Sequence, residues 1–340
     1  MAACEEEVAA TTAANLDAAD QDPFPKEAVD GAAAKGKNFW YIGLAMSNGS
    51  IAAYAEGATA AAEALGATMT VFDGKGTPGT MAQGIQNAIA ARADGIILGS
   101  TGTEAVAEAV RNAESAGIPV LDGLNGVPAE PLAEGVAMQV SPDFTEVARM
   151  QVNWVLNEYG CDGTHVLSLA SPNGPPSQAF AAAVDDEMSR LCPSCKNTLV
   201  EVPVGDVPTK LTPAVQTALQ RDPGVKAVLS PSDPFVPFVQ QAIAATGSDA
   251  GILGHNGTQI QAAIEGQVPL VADAVYAPPV VVGWFLVDGM LRGLQDGTYS
   301  GAIPEVLKDE SNWGTDPDLF ALVPTYAEYP DAFKKLWGVN

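Results

Sequence analysis

From Asn38 onward, short apolar runs alternate with longer segments whose apolar residues recur at helical spacing. The apolar runs predict strands and the periodic segments predict helices. In the first third of the chain, strands alternate with helices over residues 39–45, 52–65, 67–72, 80–91, 95–98, 103–116 and 118–121. This order is typical of a parallel sheet that carries helices on both faces and is joined by right-handed crossovers.

The same pattern begins again after Ser141 with a predicted helix. Helices and strands then alternate over 144–159, 165–169, 178–191, 198–202, 213–220, 227–229, 235–245, 251–253, 258–265, 270–275 and 279–294. A chain of 340 residues has the length of about two domains. The predicted fold class is therefore α/β, with two doubly wound parallel-sheet lobes.

Polar side chains follow the predicted strands of both lobes, where doubly wound sheets bind their ligands. They are Ser47, Asn48, Asp73, Ser100, Thr101, Asp122 and Asn125 in the first lobe, and Ser171, Asn173, Gln178, Ser232, Asp233, Phe235, His255 and Asn256 in the second. One such Asn or Ser is more often a helix cap than a ligand contact, so the set carries the prediction. Two sets of polar loops predict a cleft that closes on a small molecule.

Composition and charge exclude several classes of binding partner. The formal net charge is −25, which disfavours binding to nucleic acid or to anionic membranes. No apolar stretch approaches the roughly 20 residues that span a bilayer. With 47% hydrophobic and 17% charged residues, the chain as a whole is expected to fold.

Motifs for catalysis are scarce. Neither the dinucleotide-binding Gly-x-Gly-x-x-Gly nor the phosphate-binding Gly-x-x-x-x-Gly-Lys-Ser/Thr occurs. His255 is the only histidine that follows a predicted strand, and no Gly-x-Ser-x-Gly accompanies it. We therefore expect no enzyme activity, no cofactor and no metal, with hydrolysis through His255 as the least favoured alternative.

The N-terminus and the cysteines indicate a compartment. Residues 1–34 are acidic and poor in large apolar side chains, which predicts a disordered leader. Ala2-Ala3-Cys4 resembles the end of a lipoprotein cleavage site, which predicts a lipid on Cys4; the alternative is a disordered terminus with a chance cysteine.

The remaining cysteines predict one disulfide. Cys192 with Cys195 is the simplest pair and leaves Cys161 free, although Cys161 could take either partner. A zinc site of these three cysteines with His165 and a redox-active Cys-x-x-Cys are the less favoured interpretations.

Four stretches resemble one family. They are Ile42-Gly43-Leu44-Ala45, the strand Ala-Asp-Gly-Ile-Ile-Leu at 93–98, the turn Ala-Glu-Ser-Ala-Gly-Ile-Pro-Val at 113–120, and Ile-Leu-Gly-His-Asn-Gly at 252–257. Together they resemble the type I periplasmic solute-binding proteins of ABC importers, the sugar-binding group related to ribose-binding protein and the LacI-type effector domains. The resemblance implies three crossings between lobes, with 38–140 plus 279–307 in the first lobe and 141–278 plus 308–340 in the second.

The resemblance also implies ligand-binding positions. On this sequence the family's pocket falls on Asn48, Asp122, Ser141, Gln178, Ser232 or Asp233, His255, Asn256 and Ala277. Tyr54, Phe235, Tyr276 and Trp284 are candidate stacking faces. The predicted ligand-binding set is Ser47, Asn48, Tyr54, Asp122, Asn125, Ser141, Asn173, Gln178, Asp233, Phe235, Asn256 and Tyr276.

This sequence departs from the sugar pattern of that family at several positions. Ser50 and Ile51 replace an aromatic pair, Gly123 and Gln178 replace arginines, and Asn256 replaces an aspartate. The arginines would have formed bidentate, charge-assisted hydrogen bonds to vicinal hydroxyls. Their absence favours a neutral ligand, such as a polyol, a modified sugar, a nucleoside or a small aromatic, over an anion or a common monosaccharide.

The resulting expectation is an extracytoplasmic, lipid-anchored, monomeric protein that captures a small neutral molecule by hinge closure and delivers it to an ABC permease. The alternative is a sensor that presents the occupied state to a chemoreceptor or kinase. A DNA-binding repressor is disfavoured because no helix-turn-helix precedes Asn38.

Overall fold

The computed structural model describes residues 2–17, 22–172, 174–316 and 318–339. The described helices, in chain order, are α1 (Ala2–Leu16), α2 (Gly49–Ala64), α3 (Pro78–Ala90), α4 (Ala107–Ser115), α5 (Phe144–Tyr159), α6 (Pro175–Leu191), α7 (Val207–Arg221), α8 (Val236–Thr246), α9 (Ile260–Ile264), α10 (Pro279–Asp296), α11 (Leu319–Leu322) and α12 (Tyr329–Trp337).

The strands are β1 (Asn38–Gly43), β2 (Thr68–Asp73), β3 (Gly95–Gly99), β4 (Val120–Gly123), β5 (Met138–Pro142), β6 (His165–Ala170), β7 (Lys196–Glu201), β8 (Val225–Leu229), β9 (Gly251–His255), β10 (Leu270–Tyr276), β11 (Tyr299–Ile303) and β12 (Glu305–Asp309). The alternation predicted between residues 38 and 294 is confirmed, with ends that shift by a few residues. The sequence pattern missed β5, β11, β12 and the helices at both termini.

The chain divides into two compact lobes. The first lobe contains Asp22–Asp143, Ala277–Pro304 and residues 325–339. The second contains residues 2–17, Phe144–Tyr276 and Glu305–Pro324. Of the five changes of lobe, those at 143/144, 276/277 and 304/305 lie within a few residues of the three predicted crossings. The other two, before Asp22 and at 324/325, were not predicted.

The first lobe is a six-stranded sheet in the order β11-β5-β4-β3-β1-β2, with all neighbours parallel. α3 and α4 cover one face with a cluster that includes Met81, Ile85 and Val110. α2 and α10 pack against each other, and glycines let their backbones approach closely. A Cβ on Gly57 would lie 1.8 Å from the Val280 carbonyl oxygen, and one on Gly283 2.3 Å from the Ala58 nitrogen.

The second lobe has the strand order β12-β10-β9-β8-β6-β7. β12 is antiparallel to β10, and the other neighbours are parallel. α5 and α6 bury one face of the sheet around Val155, Phe180 and Val184. Because β12 begins at Glu305 and pairs in this sheet, the prediction that 305–307 belong to the first lobe is wrong.

The prediction of a disordered leader is wrong for the described residues of 1–34. α1 packs on α5, where Val8 is buried and the Arg190 guanidinium pairs with Glu7 at 2.8 Å. Cys4 forms a disulfide with Cys161. The sulfur that a lipid anchor would use is bonded to Cys161 instead, so the structure overturns both the lipidated Cys4 and the free Cys161.

Residues 22–34 pack on the first lobe, together with the C-terminal segment. The C-terminus was predicted in the second lobe, but residues 325–339 lie in the first. Trp337 stacks on Trp284 of α10 with ring centroids 5.3 Å apart, and its indole N–H donates to Asp288 at 2.8 Å. Arg292 pairs with Asp288 and donates to the Glu27 carbonyl. An apolar face on the C-terminal helix, with Phe333 and Trp337 buried, explains this position.

Cys192 and Cys195 form the second disulfide, as predicted, so all four cysteines are paired. Within the part of the chain that the structure describes, no helix combines the length and the apolar character needed to cross a membrane.

Candidate ligand-binding loops

Two buried polar side chains, Asp122 and Ser141, lie on neighbouring strands of the first lobe. Asp122 lies near the end of β4 and is 4% exposed; Ser141 lies on β5 and is fully buried. Asp122 pairs in register with Gln139, so Ser141, two residues further, points to the same side of the sheet. Asp122 Oδ1 and Ser141 Oγ have no hydrogen-bond partner among the described residues.

Burial changes the acidity of this site. Desolvation raises the pKa of Asp122 to about 7, although the backbone N–H of Asn125 donates to the carboxylate and opposes the rise. Gln139 uses its amide N–H groups on the Val127 and Glu130 carbonyls and on Ser300 Oγ. The neighbouring Gln139 amide is thus already used and does not donate to Asp122 or Ser141. Both side chains keep a buried oxygen without a hydrogen-bond donor among the described residues, which is unusual for buried polar groups.

Other predicted residues of the first lobe have structural roles. Asn48 caps α2, since its Oδ1 accepts from the backbone N–H groups of Ser50 and Ile51. Asn125 directs its amide at the Gly123 carbonyl at 3.5 Å, and Ser47 is exposed. Tyr54 is 5% exposed within the core of the lobe, where it offers little surface for stacking.

The backbone is strained where the strands end. Ser100 follows β3 with φ 57°, Leu124 follows β4 with φ 73°, and Asn256 follows β9 with φ 123°. Such values are costly for residues other than glycine and cluster at functional sites. Backbone hydrogen bonds hold all three turns: the N–H groups of Ser100, Leu124 and Asn256 donate to the carbonyls of Gly123, Val140 and Ala274, respectively.

In the second lobe, Asp233 accepts hydrogen bonds from the loop that follows β9. Its carboxylate is fully buried and accepts from the backbone N–H groups of His255, Thr258 and Gln259 and from the Thr258 hydroxyl. These four donors give the Asp233 carboxylate a structural role in this loop, while its predicted ligand contact stays a prediction.

Asp273 lies beside Asp233. Burial and the neighbouring Asp233 carboxylate raise the pKa of Asp273 well above its ordinary value. Asp273 Oδ1 accepts from the Gly257 N–H at 3.0 Å. A Cβ on Gly254 would lie 2.4 Å from Asp233 Oδ1 and 2.8 Å from Asp273 Oδ2. Sequence reasoning missed Asp273, although an acid inside the apolar run Leu270–Tyr276 was a readable signal.

Asn256 and Tyr276 are brought together. Asn256 Nδ2 donates to the Tyr276 hydroxyl at 2.9 Å, while Oδ1 accepts from Ser232 Oγ and the Asp233 N–H. The Tyr276 ring lies 5.5 Å from His255. Phe235 is half-buried at the start of the next helical turn. Asn256 keeps one amide hydrogen to which these bonds assign no acceptor.

Gln178 of the second lobe and Trp284 of the first lobe lie apart from this loop network. Gln178 bridges the Ser171 carbonyl and Glu201. Trp284, a candidate stacking face, is packed among Tyr329, Phe333 and Trp337 instead. Asn173 lies outside the described residues.

Positive charge is nearly absent at the carboxyl ends of the parallel strands. Across the described loops that follow these strands there is no arginine, and Lys75, which is exposed, is the one lysine. The only histidine of these strand ends, His255, is buried against Glu305. Anionic groups of a ligand would find little compensation here.

Two parallel sheets with these polar loops define the class of a two-lobed binding protein. Residues 41–314 match the family described as periplasmic binding protein domain, and the chain belongs to this family. No curated protein matches the sequence.

Solved structures with the same fold include an ABC transporter solute-binding protein from Agrobacterium vitis with bound allitol, at TM-score 0.67 and 18% identity over 82% of this chain and 97% of that one. A carbohydrate transporter from Acidothermus cellulolyticus in complex with myo-inositol aligns at TM-score 0.64 and 21% identity over 86% and 99%. A solute-binding protein from Mycobacterium smegmatis with bound glycerol aligns at 0.67 and 21% over 82% and 95%. At these identities the likeness establishes the fold.

Proposed function

We propose that this protein is the extracytoplasmic solute-binding component of an ABC importer and that it captures a small neutral sugar or polyol. The observation that carries the proposal is the pair of buried, unpaired acceptors Asp122 Oδ1 and Ser141 Oγ. Hydroxyl groups of a ligand would supply the missing donors.

The charge of the loops supports a neutral ligand. Asp122 accepts hydrogen bonds when ionised, and no arginine of the described strand-end loops could neutralise an acidic ligand. The allitol, myo-inositol and glycerol bound by structures of the same fold are neutral polyols, and they agree with this choice. The ligand class proposed is therefore polyols and neutral sugars rather than sugar acids or sugar phosphates.

The disulfides support the compartment. All four cysteines are paired, and structural disulfides persist in oxidising environments outside the cytoplasm. The match to the periplasmic binding protein family and the likeness to ABC transporter solute-binding proteins support delivery to a permease.

Native mass spectrometry of the purified protein tests this function first, because a tightly held ligand adds its mass to the protein. A thermal-shift panel then compares neutral polyols and sugars with sugar acids and sugar phosphates. We expect stabilisation by a neutral member, since a ligand that binds only the folded state raises the melting temperature. Stabilisation only by anionic compounds, or by none, would reject the proposal.

A further inference from the structure

One buried side chain, His255, contacts three residues at which the chain changes lobe. Phe144 is the first residue of the second lobe after 143/144, Tyr276 is the last before 276/277, and Glu305 is the first after 304/305. The His255 ring lies 4.9 Å from the Phe144 ring and 5.5 Å from the Tyr276 ring. Its Nε2 lies 3.3 Å from Glu305 Oε2.

The partners of the two His255 ring nitrogens indicate which of them carry a hydrogen. Nδ1 lies 2.9 Å from the Pro231 carbonyl oxygen, which only accepts, so Nδ1 carries a hydrogen. In a neutral ring, Nε2 would then present a lone pair to the Glu305 carboxylate. A second proton, between Nε2 and Glu305, turns this repulsion into an ion pair.

The charged groups around His255 come from several elements. Asp233 lies in the loop after β8, Asp273 on β10, and Glu305 and the buried Lys308 on β12. Burial lowers the pKa of His255, but the charge of Glu305, the hydrogen bonds to Glu305 and Pro231 and the charge of Asp233 outweigh it, so the pKa lies above its ordinary value. Burial lowers the pKa of Lys308.

His255 also connects these chain crossings to the loop that carries Asn256. The His255 backbone N–H donates to Asp233 Oδ1 at 3.0 Å, and the next residue, Asn256, donates to the Tyr276 hydroxyl. A change in the imidazole therefore reaches both a candidate ligand contact and the ends of the connecting segments.

We propose that His255 is a positioning residue for ligand capture: in its protonated form it holds Phe144, Tyr276 and Glu305 where the chain changes lobe, and loss of the proton weakens ligand binding. This inference rests on the proposed solute-binding function. The contribution of His255 to affinity should fall as the pH rises through its titration, by roughly tenfold for each unit by which that titration differs between free and liganded protein.

The test measures ligand affinity by calorimetry between pH 5.5 and 9, using the neutral polyol or sugar that gives the largest thermal shift. Ionisation of Asp122, whose pKa is about 7, should raise affinity with pH in every variant, so the effect of His255 is read as a difference between profiles. Relative to Glu305→Gln, in which an amide no longer holds the second proton, the wild type should lose affinity toward high pH. The matched control is His165→Gln, which changes the only other histidine, at the start of β6, and should keep the wild-type profile. Superimposable profiles of the wild type and Glu305→Gln would overturn the proposal.

A measurement without ligand separates this inference from the proposed function. The histidine resonances of labelled protein should show His255 titrating above its ordinary range, and at lower pH in Glu305→Gln. Hydrogen exchange at Phe144, Tyr276 and Glu305, corrected for intrinsic rates, should accelerate once His255 is neutral. If no compound binds the wild type, the proposed function fails; if His255 is neutral at pH 6, or exchange is unchanged by its titration, this inference fails.

Discussion

Asp122 and Ser141 lie on the same side of the first sheet, on neighbouring strands, and each buries a side-chain oxygen that lacks a hydrogen-bond donor in the described part of the chain. A fold gains nothing from such groups by themselves, because burying an unpaired acceptor costs free energy. Their position at the carboxyl ends of parallel strands supports the proposal that these two side chains bind a ligand.

Asp122→Asn should stabilise the ligand-free protein at pH 8. Burial raises the folded-state pKa of Asp122 to about 7, so the folded protein holds a proton that the unfolded chain releases near pH 4. Wild-type stability therefore falls as the pH rises from about 4 to about 7, by an amount on the order of 4 kcal/mol. Urea unfolding at pH 4 and pH 8 measures the difference. Equal stability of both proteins at pH 8 would contradict a desolvated carboxyl.

The same Asp122→Asn variant should bind the ligand more weakly, since charge-assisted hydrogen bonds contribute about 1.5–3 kcal/mol, or roughly 10- to 150-fold in affinity. Ser141→Ala, which loses a neutral acceptor, should lose less. Calorimetry on both variants measures the order. Wild-type affinity in Asp122→Asn would remove this carboxylate from the binding site.

Gly57→Ala and Gly283→Ala should each destabilise the first lobe. In an exposed helix interior, replacing glycine with alanine stabilises by about 0.5–1 kcal/mol, but here a Cβ would meet backbone atoms at 1.8 and 2.3 Å. Separation of α2 and α10 should cost about 1–3 kcal/mol or more. Gly79→Ala in α3, whose Cβ meets nothing within 4 Å, is the control. Denaturant midpoints compare the three variants, and a stabilised Gly57→Ala would refute the close approach.

The double variant Cys4→Ser/Cys161→Ser should lose much more stability than Cys192→Ser/Cys195→Ser. The first bond joins residues 157 apart in sequence and the second residues 3 apart. Loop-closure entropy alone gives about 5 kcal/mol for the long loop and under about 2 kcal/mol for the short one. Unfolding without reductant measures both, after peptide mapping of the pairs. Recovery of Cys4 as a lipid-modified residue would contradict the long disulfide.

Trp337→Ala should destabilise the first lobe by about 3–5 kcal/mol, the usual loss for a buried aromatic ring. Trp337→Phe keeps a ring against Trp284 but removes the donor to Asp288. Its stability should lie between those of the wild type and Trp337→Ala. Urea unfolding of the three proteins gives the order. No effect of Trp337→Ala would mean that the C-terminal helix is not part of this lobe.

The sequence predicts a segment well when local burial determines its structure, and poorly when contacts with distant residues do. Apolar runs such as Gly95–Leu98 are buried on both sides, so a parallel sheet between 38 and 294 was predictable. The termini were not, because α1 is rich in alanine and has few large apolar residues, and its position depends on the Cys4–Cys161 disulfide and on contacts with residues distant in sequence. The lobe that the C-terminal helix joins depends on Trp284, a partner distant in sequence.

The sequence predicted which loops carry the polar side chains of the candidate site, but not the role of each side chain. Asp122 and Ser141 were predicted as ligand contacts, and that role remains a prediction supported by their unpaired oxygens. Asp233 looked equivalent in sequence, yet its carboxylate is filled by four donors. A carboxylate at a strand end turns inward when backbone N–H groups of a neighbouring loop donate to it. The positions of those N–H groups cannot be read from the sequence.

The most direct test of the account is calorimetry on protein from which retained ligand has been removed by unfolding and refolding. Neutral polyols and sugars are titrated beside their sugar-acid and sugar-phosphate counterparts, with Asp122→Asn as the second protein. The account predicts micromolar or tighter binding of a neutral compound, no measurable binding of its anionic counterpart, and at least tenfold weaker binding in the variant. Binding of the anionic compounds alone, or equal affinity in Asp122→Asn, would contradict it.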